Sequence, residues 1–317
     1  MKTAAKLINL IFTHGIFATL FMFAANSYAV EKAALHYYEG LDQRGKTVVR
    51  LVPSMHAGLD PARYSDAVEF LVSRSSTVFI EHDVTDSEAV ANVKLIARES
   101  VQIFDRNPPL AATRDKVIFN LGAPLSLSSQ ESLALKQVGP WAFLLYLNNR
   151  CPVKTAVHLQ SLEQIFLSKA KAYGVKTALF ENPHESMAWM FTLSAKDWST
   201  AFERLSDRII EVCPTAWSTF LNDLTKRFEA GDFEAMWVIA YRFDSYEKSK
   251  IAYSEAWRNG ADRHLNASVR LNKIIQSATN GPPTILMGAA HFATDDSILT
   301  YLSRSGLSFK KVAFKVP

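Results

Sequence analysis

Apolar residues along this chain fall into two patterns: short unbroken runs, and longer stretches with a single apolar face. Four short runs stand out: Thr47-Val48-Val49-Arg50-Leu51-Val52, Thr77-Val78-Phe79-Ile80, Lys176-Thr177-Ala178-Leu179-Phe180 and Thr284-Ile285-Leu286-Met287. Rich in β-branched residues and flanked by turn formers, they predict strands of a sheet covered on both faces. Residues 35–38 and 46–52 predict a hairpin around the polar turn Gly40-Leu41-Asp42-Gln43-Arg44-Gly45. Tyr64, Ala67, Val68, Leu71 and Val72 recur at helical spacing and predict a helix over residues 61–74. Strand, helix, strand favours a parallel unit with a right-handed crossover. The strands ending at Val52 and Ile80 are therefore expected side by side.

Residues 87–149 read as helical, with punctuation at Asn107-Pro108-Pro109 and Gly139-Pro140 and a core-like run at 141–147. A helix over 159–173, a stop at Gly174 and the strand ending at Phe180 repeat the first unit's logic. Residues 184–281 are again largely helical, in segments near 199–212, 216–230, 233–243, 246–257 and 261–279. Trp189, Trp198, Trp217, Trp237 and Trp257 are expected to pack among these helices. After Pro282-Pro283 come a strand, a tight turn, a helix over 296–303, a break at Gly306 and a strand over 309–316. The expected fold is α/β. A central mixed, partly parallel sheet is flanked by helices, with a helical insertion over about 184–281 before the closing strand-turn-helix-strand block.

Composition narrows the class. With 48% hydrophobic and 21% charged residues in 317, the chain is globular, neither disordered nor a multi-spanning membrane protein. Residues 1–29 read as an export signal: Lys2 and Lys6, a mostly apolar stretch over 7–25, then Asn26-Ser27-Tyr28-Ala29. Cleavage after Ala29 leaves one domain over 30–317 that is periplasmic or secreted, with no stable membrane span. The alternative is an uncleaved anchor, against which Asn9, Thr13, His14 and Gly15 interrupt the apolar run. Removing Lys2 and Lys6 lowers the formal charge from +4 to +2, too small a bias to argue for nucleic acid. Cys151 and Cys213 are the two cysteines; in an exported protein they read as a disulfide or as two buried thiols.

Each of the four runs ends by presenting His or Glu. The first leads through Pro53-Ser54-Met55 to His56, the second into Glu81, the third into Glu181, and the fourth through Gly288-Ala289-Ala290 to His291. In sheets of this kind ligands bind beyond the carboxyl ends of the strands. Two imidazoles and two carboxylates there suggest a divalent-metal site or a His/carboxylate hydrolytic site. Small residues before His291 allow a sharp turn and leave room beside the ring. A carboxylate at the end of an apolar strand needs a partner; the bland alternative is pairing of Glu81 and Glu181 with a structural Arg50 or Arg63.

The Ser54-Met55-His56-Ala57-Gly58 turn, Phe79-Ile80-Glu81, Leu179-Phe180-Glu181 and Met287-Gly288-Ala289-Ala290-His291-Phe292 resemble the TraB/GumN family. So do Glu163-Gln164-Ile165-Phe166-Leu167 and the turn Ala230-Gly231-Asp232. The resemblance spans about 35–316 and extends to Tiki-type metalloproteases, erythromycin esterases and ChaN-like haem-binding proteins. It implies a metal-dependent hydrolase acting on a peptide or small ester. His56 and His291 would be ligands of Mn²⁺, Co²⁺ or Zn²⁺ or general bases, Glu81 and Glu181 metal ligands or orienting carboxylates, and Asn266 a polarising amide. Two positions depart from the pattern: Pro53 stands where the family's first motif has Gly, and the Arg expected before Asn266 is Leu265. These departures motivate the alternative of a non-catalytic peptide- or haem-binding module.

Overall fold

The computed structural model describes residues 32–55, 58–81, 95, 99–123, 125–140, 142–143, 160–181, 193–212, 216–243, 261–293 and 297–314. The export segment, His56, both cysteines and the helix expected over 246–257 lie outside them. β1 (Leu35–Leu41) and β2 (Thr47–Ser54) form the expected antiparallel hairpin, with Tyr38 opposite Leu51. α1 (Pro61–Val72) starts where the Asp60 side chain accepts the Ala62 N–H and Pro61 presets φ. Its apolar stripe of Tyr64, Ala67, Val68, Leu71 and Val72 is buried, as the spacing predicts.

β3 (Thr77–Ile80) is followed by α2 (Gln102–Asp105), α3 (Pro108–Gly122) and α4 (Ser129–Leu135). α5 (Leu162–Tyr173) opens with a reciprocal capping box between Ser161 and Gln164 and closes on Gly174, whose φ of 65° is the left-handed stop that glycine permits. β4 (Lys176–Leu179) precedes α6 (Ala195–Val212), α7 (Ala216–Ala230), α8 (Phe233–Phe243) and α9 (Ala261–Ser277). β5 (Thr284–Gly288), a 3₁₀ turn (Ala289–Phe292), α10 (Ile298–Ser303) and β6 (Ser308–Phe314) complete the described chain. Among the described residues no helix is long and apolar enough to cross a membrane.

The six strands form one mixed sheet in the order β4-β3-β5-β2-β1-β6, with helices around it. β4, β3, β5 and β2 run parallel, while β1 is antiparallel to both β2 and β6. The α/β expectation holds, with one correction. β2 and β3 are parallel but not adjacent, because β5 lies between them. The reason lies in the strands themselves. β5 is buried along its whole length, whereas β3 alternates between buried and half-buried positions. The central slot goes to the segment with no polar face to offer solvent. Its insertion is visible just before the strand, where the Pro282 carbonyl accepts the Ser76 N–H and the Pro283 carbonyl accepts the Arg50 N–H.

The main core joins Leu51, Val52, Val78, Ile80, Leu286 and Met287 of the sheet to Leu71 of α1 and Phe166 of α5. Away from the sheet, Trp198 and Phe202 of α6 pack with Phe104 of α2 and Phe143, with ring centroids 5.0 to 6.1 Å apart. Trp198 is thus a packing residue, as its helical setting suggests.

Candidate active site at the carboxyl ends of the parallel strands

Because β4, β3, β5 and β2 are parallel neighbours, their carboxyl ends share one edge of the sheet. Along that edge stand Glu181 beyond β4, Glu81 beyond β3, His291 beyond β5, and Ser54 as the last residue of β2. Glu81, Glu181 and His291 are all buried, at 3, 6 and 2% exposure. Charged residues so enclosed are costly unless partnered.

Glu81 is held from the neighbouring strand. Its Oε2 accepts the Gly288 N–H at 2.8 Å, and its Oε1 lies 3.4 Å from His291 Nε2. The 3₁₀ turn brings the imidazole back over the strand end, which the small side chains of Gly288, Ala289 and Ala290 allow. Phe292 anchors the turn from behind. It stacks on Tyr38 at 5.5 Å with the rings parallel to within 1°, and Phe233 of α8 packs 6.4 Å from it.

The spacing between ring and carboxylate is chemically specific. A charged N–H···O bond is typically about 2.7–2.9 Å, so 3.4 Å is long for a direct ion pair. With its proton on Nε2, His291 donates to Glu81; with the proton on Nδ1, two lone pairs face each other unless Glu81 carries a proton or a cation stands between them. A nitrogen and an oxygen bound at about 2.0–2.1 Å to one tetrahedral ion lie about 3.4 Å apart. Glu81 and His291 therefore fit two positions of a coordination shell. Among the described residues, no group of three His, Cys, Asp or Glu side chains is close enough to hold a metal. The candidates for further donors are Glu181 at the next strand end and residues outside the described ones, His56 among them.

The β4 end is tied into the same edge. The Phe180 N–H donates to the Ile80 carbonyl at 2.7 Å, and Arg270 of α9 donates from Nη1 to the Phe180 carbonyl at 2.9 Å. At the other end, Ser54 Oγ donates to Glu163 Oε1 at 2.5 Å, and Glu163, in the first turn of α5, is 4% exposed. Asn266 also lies on α9 but is exposed, and among the described residues it hydrogen-bonds to neither Glu81, Glu181 nor His291. The structural arginines have other partners: Arg63 forks onto Glu229, and Arg50 donates to the Arg74 carbonyl.

Arg270 is the residue that the sequence does not single out, while Ser54 and Glu163 enter there only as parts of motifs, with no role at the site. Arg270 falls one helical turn after Asn266, on a helix where the family resemblance marks only the amide. Glu163 reads as an ordinary acidic residue at a helix start.

With the edge assembled, comparison with known proteins has something to explain. The family model for TraB/PrgY/gumN matches residues 42–311. The chain belongs to the TraB/PrgY/gumN family. That match covers nearly the whole chain and takes in β2, β3, β4, β5 and the residues at their ends. No curated protein matches this TraB/PrgY/gumN member. No solved structure matches it either.

Proposed function

We propose that this TraB/PrgY/gumN member is an exported, metal-dependent hydrolase that cleaves a peptide or small ester bond at the strand-end edge. The observation that carries the reading is the Glu81–His291 pair, buried and 3.4 Å apart, with the Gly288 N–H fixing the other carboxylate oxygen. Membership in the family agrees with it, as does the placement of Glu181 on the adjacent strand end.

In this reading Glu81 and His291 hold a divalent ion, Mn²⁺, Co²⁺ or Zn²⁺, with His56 and Glu181 as the further donors. Bound there, the ion supplies Lewis acidity, which polarises a carbonyl and makes water a stronger acid. The chain's own residues do the rest. Gly288 keeps Glu81 in one rotamer, and Glu81 keeps the imidazole facing the edge. In the alternative without an ion, His291 takes the proton from the attacking water and returns it to the leaving group, with Glu81 fixing its tautomer. Burial of the edge strengthens these interactions by excluding solvent.

The deciding experiment joins metal analysis of the purified protein to hydrolysis of peptide and ester libraries with each ion supplied. Wild type should bind about one ion per chain and show turnover that His291→Ala abolishes. Absence of both, with every ion tried, ends the metallohydrolase reading; peptide or haem binding without turnover would replace it with the binding-module alternative. Export carries its own check, since the mature protein outside the cytoplasm should begin at Val30.

A further inference from the structure

Glu163 is not on the strand ends, yet it is drawn into the same edge. It lies in the first turn of α5, where the helix dipole favours a carboxylate. An acid there for the dipole alone would remain in solvent; this one is 4% exposed and reaches across to β2. The 2.5 Å contact from Ser54 Oγ to its Oε1 has the length of a charge-assisted hydroxyl–carboxylate bond.

Backbone bonds reinforce that contact. The Leu162 N–H donates to the Met55 carbonyl at 3.0 Å, and Leu59 and Gln160 exchange N–H···O bonds at 3.1 and 2.8 Å. The start of α5 thus clamps the end of β2. Ser54 stands opposite Gly288 in the β2–β5 register, and the Gly288 N–H is the donor that holds Glu81. Glu163, Ser54, Gly288, Glu81 and His291 therefore form one line across three strands.

We propose that Glu163 is a positioning residue, acting through Ser54 to fix the β2–β5 register at Gly288 and so to keep Glu81 aligned with His291. It rests on reading that pair as the reactive one, and its role is to orient, since it acts through the Ser54 hydroxyl.

The test uses the full chain and reads amide hydrogen exchange at Gly288, which needs no activity. Ser54→Ala, a change of one oxygen, should speed Gly288 exchange about ten-fold while Val68 in α1 keeps its wild-type rate. Glu163→Gln retains an oxygen that can accept from Ser54 and should stay within about three-fold of wild type. If turnover is found, Ser54→Ala should lower kcat about ten-fold with KM unchanged. Unaltered Gly288 exchange in Ser54→Ala overturns the proposal. So does equal acceleration at Gly288 and Val68, which would make the contact a matter of general stability. A wild type without metal or turnover removes the proposed function, and the exchange comparison still decides the clamp.

Discussion

At Glu229, on α7, a carboxylate meets permanent positive charge; at Glu81, beyond β3, it meets a ring whose charge depends on a proton. Glu229 takes both arms of the Arg63 guanidinium, at 2.5 and 3.1 Å, and the Tyr64 hydroxyl at 3.0 Å. Its side chain keeps 20% exposure, whereas that of Glu81 keeps 4%. A forked Arg–carboxylate pair is fixed in geometry by two parallel hydrogen bonds, which suits a joint between α1 and α7. Glu81 is enclosed more deeply and held at a longer distance from a weaker cation. The two carboxylates thus differ in partner and enclosure: Glu229 is forked by a guanidinium at a partly open joint, and Glu81 is enclosed beside an imidazole.

The sharpest break in that contrast comes from Glu81→Gln. The amide oxygen still accepts from Gly288, so packing is preserved while the charge disappears. Turnover should fall about 10³-fold, with the circular dichroism spectrum and urea midpoint close to wild type. His291→Ala should fall as far. Comparable activity in either variant would reduce Glu81 to the structural role that Glu229 plays.

Phe292→Ala comes next, because it attacks the support and leaves the chemistry intact. The ring is 8% exposed and packed between Tyr38 and Phe233, so truncation should cost about 3–4 kcal/mol in urea unfolding. Unlike a deletion at Glu229, it should also depress turnover of the molecules that remain folded, by loosening the turn that carries His291. Phe292→Leu, which fills more of the space, should recover most of the stability.

Much of this edge could be read from residues alone, and the reasons differ from place to place. Each parallel strand announced itself as an apolar run, and the His or Glu that ended it was visible as a polar residue where none was needed. Strand order was less legible. Chain continuity put β2 beside β3, and only burial of β5 on both faces places it between them. Glu163 is visible only as part of a motif, because a helix start already accounts for an acid there; its burial is a tertiary fact. Asn266 shows the converse, since the family resemblance singles it out and the helix turns it to solvent, while Arg270 faces the β4 end. Periodicity names an element's faces, and only its neighbours decide which face matters.

Glu229→Ala tests the other side of the comparison. It leaves Arg63 and Tyr64 without the carboxylate that joins them, at a site partly open to solvent, and should cost about 2 kcal/mol of stability. Turnover per folded molecule should be unchanged. A loss of kcat beyond the loss of folded protein would mean that the α1–α7 joint and the strand-end edge are coupled.

Tyr64→Phe should have the smallest effect at neutral pH, about 1 kcal/mol, because it removes one hydrogen bond and leaves the ring buried. Its signature is in alkali. Burial first, then the charge of Glu229 and the hydrogen bond to it, push the Tyr64 hydroxyl far above the usual tyrosine range. The unfolded chain releases that proton near pH 10, while the folded protein retains it. Above that pH the folded state binds more protons than the unfolded one, so stability must fall as pH rises. The contribution is complete below about pH 10 and is lost progressively above it. Urea midpoints across that range should therefore drop more steeply for wild type than for Tyr64→Phe. Parallel slopes would show that neither burial nor Glu229 holds the phenol neutral, and the joint would lose that part of its contrast with the Glu81 site.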